Sequence, residues 1–163
     1  MKTLIFLILL FVNFILKSAV LVNFLPSTLI FNTTLCIIVC LALLARKREG
    51  LAWTIFIAIL NDLFYHEVLF LNLFLFTIIY LAIFLFRENI NMENLLSIAI
   101  VNILTYIFYI IVSYILLSFM NVDVIFKQVI KNIFSLKIIL IAIYGIFMYL
   151  ISKRIFRYKN YDI

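Results

Sequence analysis

Long apolar runs, separated by short polar segments, fill most of the chain. These runs are continuous, whereas the strands of a membrane β-barrel would alternate apolar and polar positions. A helix needs about 20 residues to cross a bilayer. The pattern therefore predicts an all-α, polytopic integral membrane protein, one transmembrane domain over residues 1–163 with six transmembrane helices. We place the spans at about 4–24, 29–45, 51–65, 68–86, 95–119 and 136–151. The third and sixth are short, so we expect them to stand upright or to thin the bilayer.

Segment 121–135 differs from the spans, because its apolar and polar residues fall on opposite faces of a helix. This predicts an amphipathic helix in the membrane interface before the last span, with Asn121 or Asp123 as its N-cap. The segment is either a plain lid between two spans or a docking surface for a partner. The apolar face would hold Val122, Ile125, Phe126, Val129, Ile130, Ile133 and Phe134, and the polar face Lys127, Gln128, Lys131 and Asn132.

Composition supports the membrane class. The chain is 69% hydrophobic and 12% charged, whereas soluble domains are about 45–50% apolar and about 25% charged. A soluble protein of this size has too much surface to hide so much apolar material. A soluble enzyme, a disordered tail and a disulfide mini-protein are therefore excluded.

The net charge of +6 predicts membrane orientation and not binding to nucleic acid, because the basic residues cluster between apolar runs. Nine of the 13 Lys and Arg residues fall on the inner side if the N-terminus is cytoplasmic. By the positive-inside rule, both termini are then cytoplasmic. We expect the basic residues Arg46, Lys47, Arg48, Lys153 and Arg154 to anchor the chain at anionic lipid.

The first run has a second interpretation, as a signal peptide that begins with Lys2. We favour a retained helix, because Lys17 occupies the position three residues before any cut after Ala19.

The third span carries a line of small and polar residues at a spacing of four. Gly50, Thr54 and Ala58 form a ridge that lets another helix approach closely. Asp62 and His66 continue this line. We expect these residues to pack helices or to bind a partner.

Asp62 lies within the third span, where a charged side chain costs a few kcal/mol of insertion free energy. It therefore needs a partner or contact with water. We consider His66, Lys17, Asn61 and an aqueous interface. Lys17 either extends to the interface or pairs with Asp62. His66 is either an interfacial residue or part of a proton relay with Asp62.

Other polar residues in the spans predict packing and not catalysis. Asn13, Asn32, Asn72 and Asn102 offer hydrogen bonds between helices. Cys36 and Cys40 are expected to be small apolar residues of a helix. The sequence has no motif of a hydrolase, a metalloenzyme or a phosphate-binding loop, so we expect no catalytic residue, no metal and no cofactor.

The third and fourth spans resemble the rod-shape-determining membrane protein family MreD. The resemblance lies in small residues spaced by four before an aspartate, a short outer loop, and a Tyr-Leu pair in the next span. In this chain these are Thr54, Ala58 and Asp62, the loop near His66, and Tyr80-Leu81, with Phe31-Asn32 similar to the Pro-polar pair that opens the second span. Thr54 and Ala58 replace family glycines, and Leu69 or Phe70 stands where the family has a glycine after the loop.

The resemblance implies a bacterial cytoplasmic-membrane scaffold of the cell-elongation machinery, with a bundle similar to the S components of energy-coupling-factor transporters. Its implied partners are MreC and, through MreC, MreB, RodA and a class B penicillin-binding protein. The alternative function is an S component that binds a vitamin for transport.

Overall fold

Seven α-helices make up most of the residues that the computed structural model describes, which are 2–20, 23, 31–65, 70–120, 126–133 and 135–156. These residues contain no strand, so the all-α prediction is confirmed for them. The helices are α1 (Lys2–Ile15, continued by a π-helical turn at Leu16–Val20), α2 (Thr33–Leu44), α3 (Lys47–Tyr65), α4 (Leu71–Phe86, continued by a 3₁₀ turn at Arg87–Asn89), α5 (Leu95–Phe119), α6 (Phe126–Ile133) and α7 (Lys137–Phe156).

Three helical segments are long and apolar enough to cross a membrane: Leu71–Asn89, Leu95–Phe119 and Lys137–Ile155. Shorter apolar helices lie at Phe6–Ser18 and Thr33–Leu44. Most of each long segment is not buried inside the protein, so the lateral surface of the bundle is apolar. Such a surface suits lipid, and this supports a membrane protein. The number of crossings stays a prediction.

Two helices extend beyond the predicted spans into charged residues. Helix α5 coincides with the span predicted at 95–119, but α3 begins earlier, at Lys47, and α7 continues to Phe156. These helices have 19 and 20 residues, more than the predicted spans, because they include charged residues at their ends. The lengths of the membrane spans themselves stay a prediction. Hydropathy marks where a span is apolar, whereas helical hydrogen bonds continue through charged terminal turns. Glu49 near the start of α3 and Arg154 near the end of α7 also suit the helix dipole.

Helix α2 is the centre of the bundle. It has 12 residues, and its side chains from Thr33 to Leu43 are all buried. It packs against α3, α4, α5 and α7. At 1.5 Å per residue it is roughly 18 Å long, which is possible because protein and not lipid surrounds it. The helix begins after Asn32, later than the predicted residue 29, since the Asn32 side chain accepts a hydrogen bond from the Thr34 N–H at 3.3 Å and so caps it.

Basic residues gather at one end of the bundle, which we call the basic end. Arg87, after α4, donates to the Ala45 carbonyl at the end of α2 at 3.4 Å. The Tyr149 hydroxyl of α7 donates to the Met92 carbonyl, between α4 and α5, at 2.8 Å. These contacts bring the ends of three helices together. The basic end also carries the predicted anchors Arg46, Lys47, Arg48, Lys153 and Arg154, of which Lys153 is partly buried and the others are exposed.

The predicted amphipathic segment contains a helix, α6, which contacts α5 and α7. Val129 is buried, whereas Phe126 and Ile130 are exposed. The Phe126 ring lies 5.6 Å from the Tyr114 ring of α5. The helix is present where it was predicted, although the predicted caps at 121 and 123 lie outside the described residues.

Candidate functional site

Asp62, near the end of α3, caps the start of α4. Its Oδ1 accepts a hydrogen bond from the Asn72 backbone N–H, and its Oδ2 accepts one from the Leu73 N–H, both at 2.9 Å. The first N–H groups of a helix have no partner within the helix, and its positive dipole end favours an anion. The Asp62 side chain is only 4% exposed, so of the alternatives considered, a protein partner applies and a water-exposed carboxylate does not. Both of its oxygens bind this chain's own backbone, which makes Asp62 a structural acceptor.

Helix α4 needs this external acceptor because Phe70 occupies its N-cap position and makes no side-chain cap. Phe70 also has a φ of 67°, a left-handed conformation that costs a residue with a Cβ about 1–2 kcal/mol. Leu69 and Phe70 were the two positions considered for the family glycine after the loop. The backbone of Phe70 has the conformation that glycine adopts without this cost.

Tyr80 forms a second contact between α3 and α4, toward the basic end. Its hydroxyl donates to the Lys47 carbonyl in the first turn of α3 at 3.1 Å. A Cβ built on Gly50 would lie 2.5 Å from this hydroxyl oxygen, closer than any real contact. The Tyr80 ring, fully buried, therefore fills a space that only glycine leaves open at residue 50.

Thr54 and Ala58 lie between these two contacts and are both buried. The Thr54 hydroxyl donates to the Gly50 carbonyl at 2.8 Å, so its polar group is satisfied within α3. The predicted ridge thus runs from the contact with Tyr80 to the cap of α4, and α3 and α4 pack extensively against each other. The structure brings together Gly50, Thr54, Ala58, Asp62 and Tyr80.

An aromatic stack extends the contact around Tyr80. The Tyr80 and Phe84 rings are stacked with centroids 6.0 Å apart, and the Arg87 guanidinium lies 4.2 Å from the Phe84 centroid. Arg87 also donates to the Ala45 carbonyl. The hydrogen bond of Arg87 therefore holds the end of α4 against α2, and that of Tyr80 holds it against α3. The stack and the cation–π contact lie within α4 and its 3₁₀ turn, where they orient these two side chains.

A buried layer of polar side chains crosses the bundle near the Asp62 end. The Tyr109 hydroxyl of α5 donates to Asn72 Oδ1 at 3.0 Å, and Asn32 is a second neighbour of this hydroxyl. Asn72 follows Leu71 at the start of α4, so its backbone and side chain bind two different helices. We call the following set the polar layer: Lys17, Asn32, Thr34, Asn61, Asp62, Asn72 and Tyr109.

Lys17 belongs to this layer through a hydrogen bond to α3 that does not involve Asp62. Its ammonium donates to Asn61 Oδ1, which also accepts from the Thr34 hydroxyl at 3.4 Å. Asn61 in turn donates to the Ile57 carbonyl at 3.0 Å. Asn61 points toward α1 and α2 whereas Asp62, one residue on, points toward α4, so the cation and the carboxylate have separate partners. Lys17 therefore contacts α3 through Asn61 and not through Asp62. Its extension to the interface stays a prediction.

The four predicted asparagine contacts have different outcomes. Asn13 accepts from the Tyr144 hydroxyl of α7 at 2.9 Å, and Asn72 and Asn32 bind as described above. Asn102 instead donates to the Ile98 carbonyl of its own helix at 2.8 Å, so its prediction as a bond between helices was wrong. A Cβ on Gly145 would lie 2.5 Å from the Asn102 amide carbon. The Asn102 side chain therefore packs directly against Gly145, which brings α5 and α7 close together.

His66 lies outside the described residues, so the proposed relay with Asp62 stays a prediction. Cys36 and Cys40 are free and fully buried in α2, as predicted for small apolar residues. Among the described residues, no group of three or more His, Cys, Asp or Glu side chains could hold a metal ion.

Sequence reasoning missed several residues that the structure brings into these contacts. Tyr109, Tyr144 and Tyr149 each connect two parts of the fold through their hydroxyls, and Gly145 permits the contact with Asn102. The available signal was composition: glycine occurs only twice in the chain, and both glycines lie where a side chain from another helix needs the space.

We compared the chain with protein-family models, with curated proteins and with solved structures, and none of them matches. The resemblance of the motif around Asp62 to a known family therefore remains an expectation based on the sequence.

Proposed function

We propose that this chain is a non-enzymatic scaffold of the bacterial cell-elongation complex, as its resemblance to MreD implies. In this proposal it crosses the cytoplasmic membrane six times, with both termini in the cytoplasm. It binds an MreC-like protein and, through it, associates with MreB, RodA and a class B penicillin-binding protein.

The observation that carries the proposal is the pair of contacts between α3 and α4. Asp62 caps α4 at one end, and Tyr80 fits against Gly50 at the other. Buried polar contacts of this kind fix the relative position of two helices. A scaffold needs such fixed surfaces, because a partner binds with less entropic cost to a surface that is already ordered.

The outer faces of the same helices suit contacts with other membrane proteins. Phe56, Ile59 and Leu63 on α3 and Phe74 on α4 are exposed. Arg46, Lys47 and Arg48 at the basic end suit anionic lipid on the cytoplasmic side.

The test is depletion of the protein in its rod-shaped host, together with capture of the tagged protein in mild detergent. The proposal predicts rounded or widened cells and recovery of an MreC-like protein with one span. Cells of normal width and length after depletion would contradict it.

An S component of a vitamin transporter is the second candidate, and one observation favours it. A cavity of about 300 Å³ lies between α1 and α3 and includes Asn13, Lys17, Thr34 and Asn61. A largely apolar cavity with a few polar groups is typical of small-molecule sites. Thermal stabilisation of the purified protein by one vitamin from a panel would favour this function over the scaffold.

A further inference from the structure

We infer that the groove between α1 and α3 binds an anionic phospholipid, with its phosphate on Lys17 and one acyl chain along the groove toward the basic end. The inference does not depend on the proposed function.

The groove is open to the side of the bundle where lipid would lie. It holds about 300 Å³, and its rim residues Leu7, Phe11 and Phe64 are exposed by 43%, 66% and 63%. Phe14 and Phe64 meet edge-to-face at 5.3 Å across it. An apolar groove of this shape suits a hydrocarbon chain, because the chain makes dispersion contacts with the groove wall in place of contacts with mobile lipid.

Charge decides which lipid fits. Of the described residues that line the groove, Lys17 is basic and none is acidic. Its ammonium is a triple donor that Asn61 orients from α3. The phosphate of an anionic lipid accepts charge-assisted hydrogen bonds from such a cation. In a zwitterionic lipid, the cation of the headgroup already neutralises the phosphate, so the gain from Lys17 is smaller.

The local backbone supports a binding role for this end of α1. Lys17 lies in the π-helical turn Leu16–Val20, and π-helical turns occur frequently at functional sites. Asn61 lies four residues before the end of α3, roughly 6 Å along the helix. Lys17 and Asn61 therefore lie near the end of the bundle opposite the basic end, and the groove continues from them past Phe56.

Trp53, the one tryptophan of the chain, reports on the groove. Its ring lies 6.0 Å from that of Phe56, which lines the groove, and 5.1 Å from that of Phe6. Trp53 is eight residues before Asn61, roughly 12 Å along α3. The middle of an acyl chain whose phosphate binds Lys17 therefore lies near Trp53.

The test reconstitutes the full chain in phosphatidylcholine vesicles that contain a small fraction of chain-brominated phosphatidylglycerol or chain-brominated phosphatidylcholine. Bromine quenches tryptophan fluorescence on contact. We expect phosphatidylglycerol to quench Trp53 with about tenfold higher apparent affinity, the size expected for a charge-assisted hydrogen bond. Unbrominated phosphatidylglycerol should reverse this excess.

Three variants locate the effect. Lys17→Gln should remove the excess, Lys17→Arg should keep it, and Lys131→Gln, at an exposed lysine of α6, should leave it unchanged. Equal quenching by the two lipids in the wild-type chain would overturn the inference, whatever the variants do. An excess that survives Lys17→Gln, or that Lys131→Gln removes equally, would overturn it too.

Discussion

The hydroxyl of Tyr80 lies 2.5 Å from the point where a Cβ on Gly50 would be. The two residues belong to adjacent helices and are 30 positions apart in the sequence. The same hydroxyl donates to the Lys47 carbonyl, so Tyr80 is fixed in direction and cannot easily move away. The close approach of α3 and α4 therefore depends on glycine at residue 50.

Gly50→Ala should destabilise the protein by about 1–3 kcal/mol, the usual cost of overpacking a core. Alanine is the better helix former by about 1 kcal/mol, so a net loss would show that the clash with Tyr80 is larger than this gain. Thermal unfolding in detergent measures the effect. Ala52→Ser, on an exposed position of the same helix, should change stability by less than about 0.5 kcal/mol. An increase in stability on Gly50→Ala would contradict the contact.

Asp62→Leu should cost about 2–4 kcal/mol, because two N–H groups of α4 then lose their acceptors in a buried site. Asp62→Asn keeps one acceptor oxygen and should cost about 1–2 kcal/mol. Glu93→Gln, at an exposed carboxylate outside the helices, is the control and should be neutral. Equal melting temperatures for Asp62→Leu and the control would show that the cap contributes nothing.

Phe70→Gly should stabilise the protein by about 1 kcal/mol, because glycine adopts the positive φ of this residue without strain. Phe74→Gly removes a similarly exposed ring from a helical position of α4 and should instead cost about 1 kcal/mol. Opposite shifts in melting temperature are therefore expected for the same change at two sites. Destabilisation by both variants would argue against strain at residue 70.

Cys36 and Cys40 should resist a membrane-permeant thiol reagent in the folded protein and react once it unfolds. Both are free and at most 1% exposed in the central helix α2, so the reagent has no path to them. Mass spectrometry of labelled samples across a temperature series measures this. Labelling well below the melting temperature would contradict the enclosed position of α2.

The sequence predicted the helical class and the ridge of α3, because apolar runs and a spacing of four are local signals. Helix α5 shows how well this works for a long uninterrupted run, since its bounds match the predicted span. The partner of Asp62 was not predictable in the same way. It is the backbone of Asn72 and Leu73, and every helix start offers equivalent N–H groups, so no residue type marks it.

The tyrosines illustrate the same limit. Tyr109 and Tyr144 lie in apolar runs where an aromatic ring is expected to face lipid or the core, and both hydroxyls find asparagine acceptors on other helices. The pairing depends on which helices become neighbours. Short loops make consecutive helices neighbours in space. The contact of α7 with α1 and α2 is long-range, so it is visible only in the folded structure.

The most direct test of the account is capture of an MreC-like partner by tagged chains that carry Asp62→Leu, Asp62→Asn or Glu93→Gln, at matched amounts of folded protein in the membrane. The account predicts that Asp62→Leu loses most of the partner and gives widened cells, that Asp62→Asn retains an intermediate amount, and that Glu93→Gln equals the wild type. Full recovery of the partner and normal cell width with Asp62→Leu would contradict it.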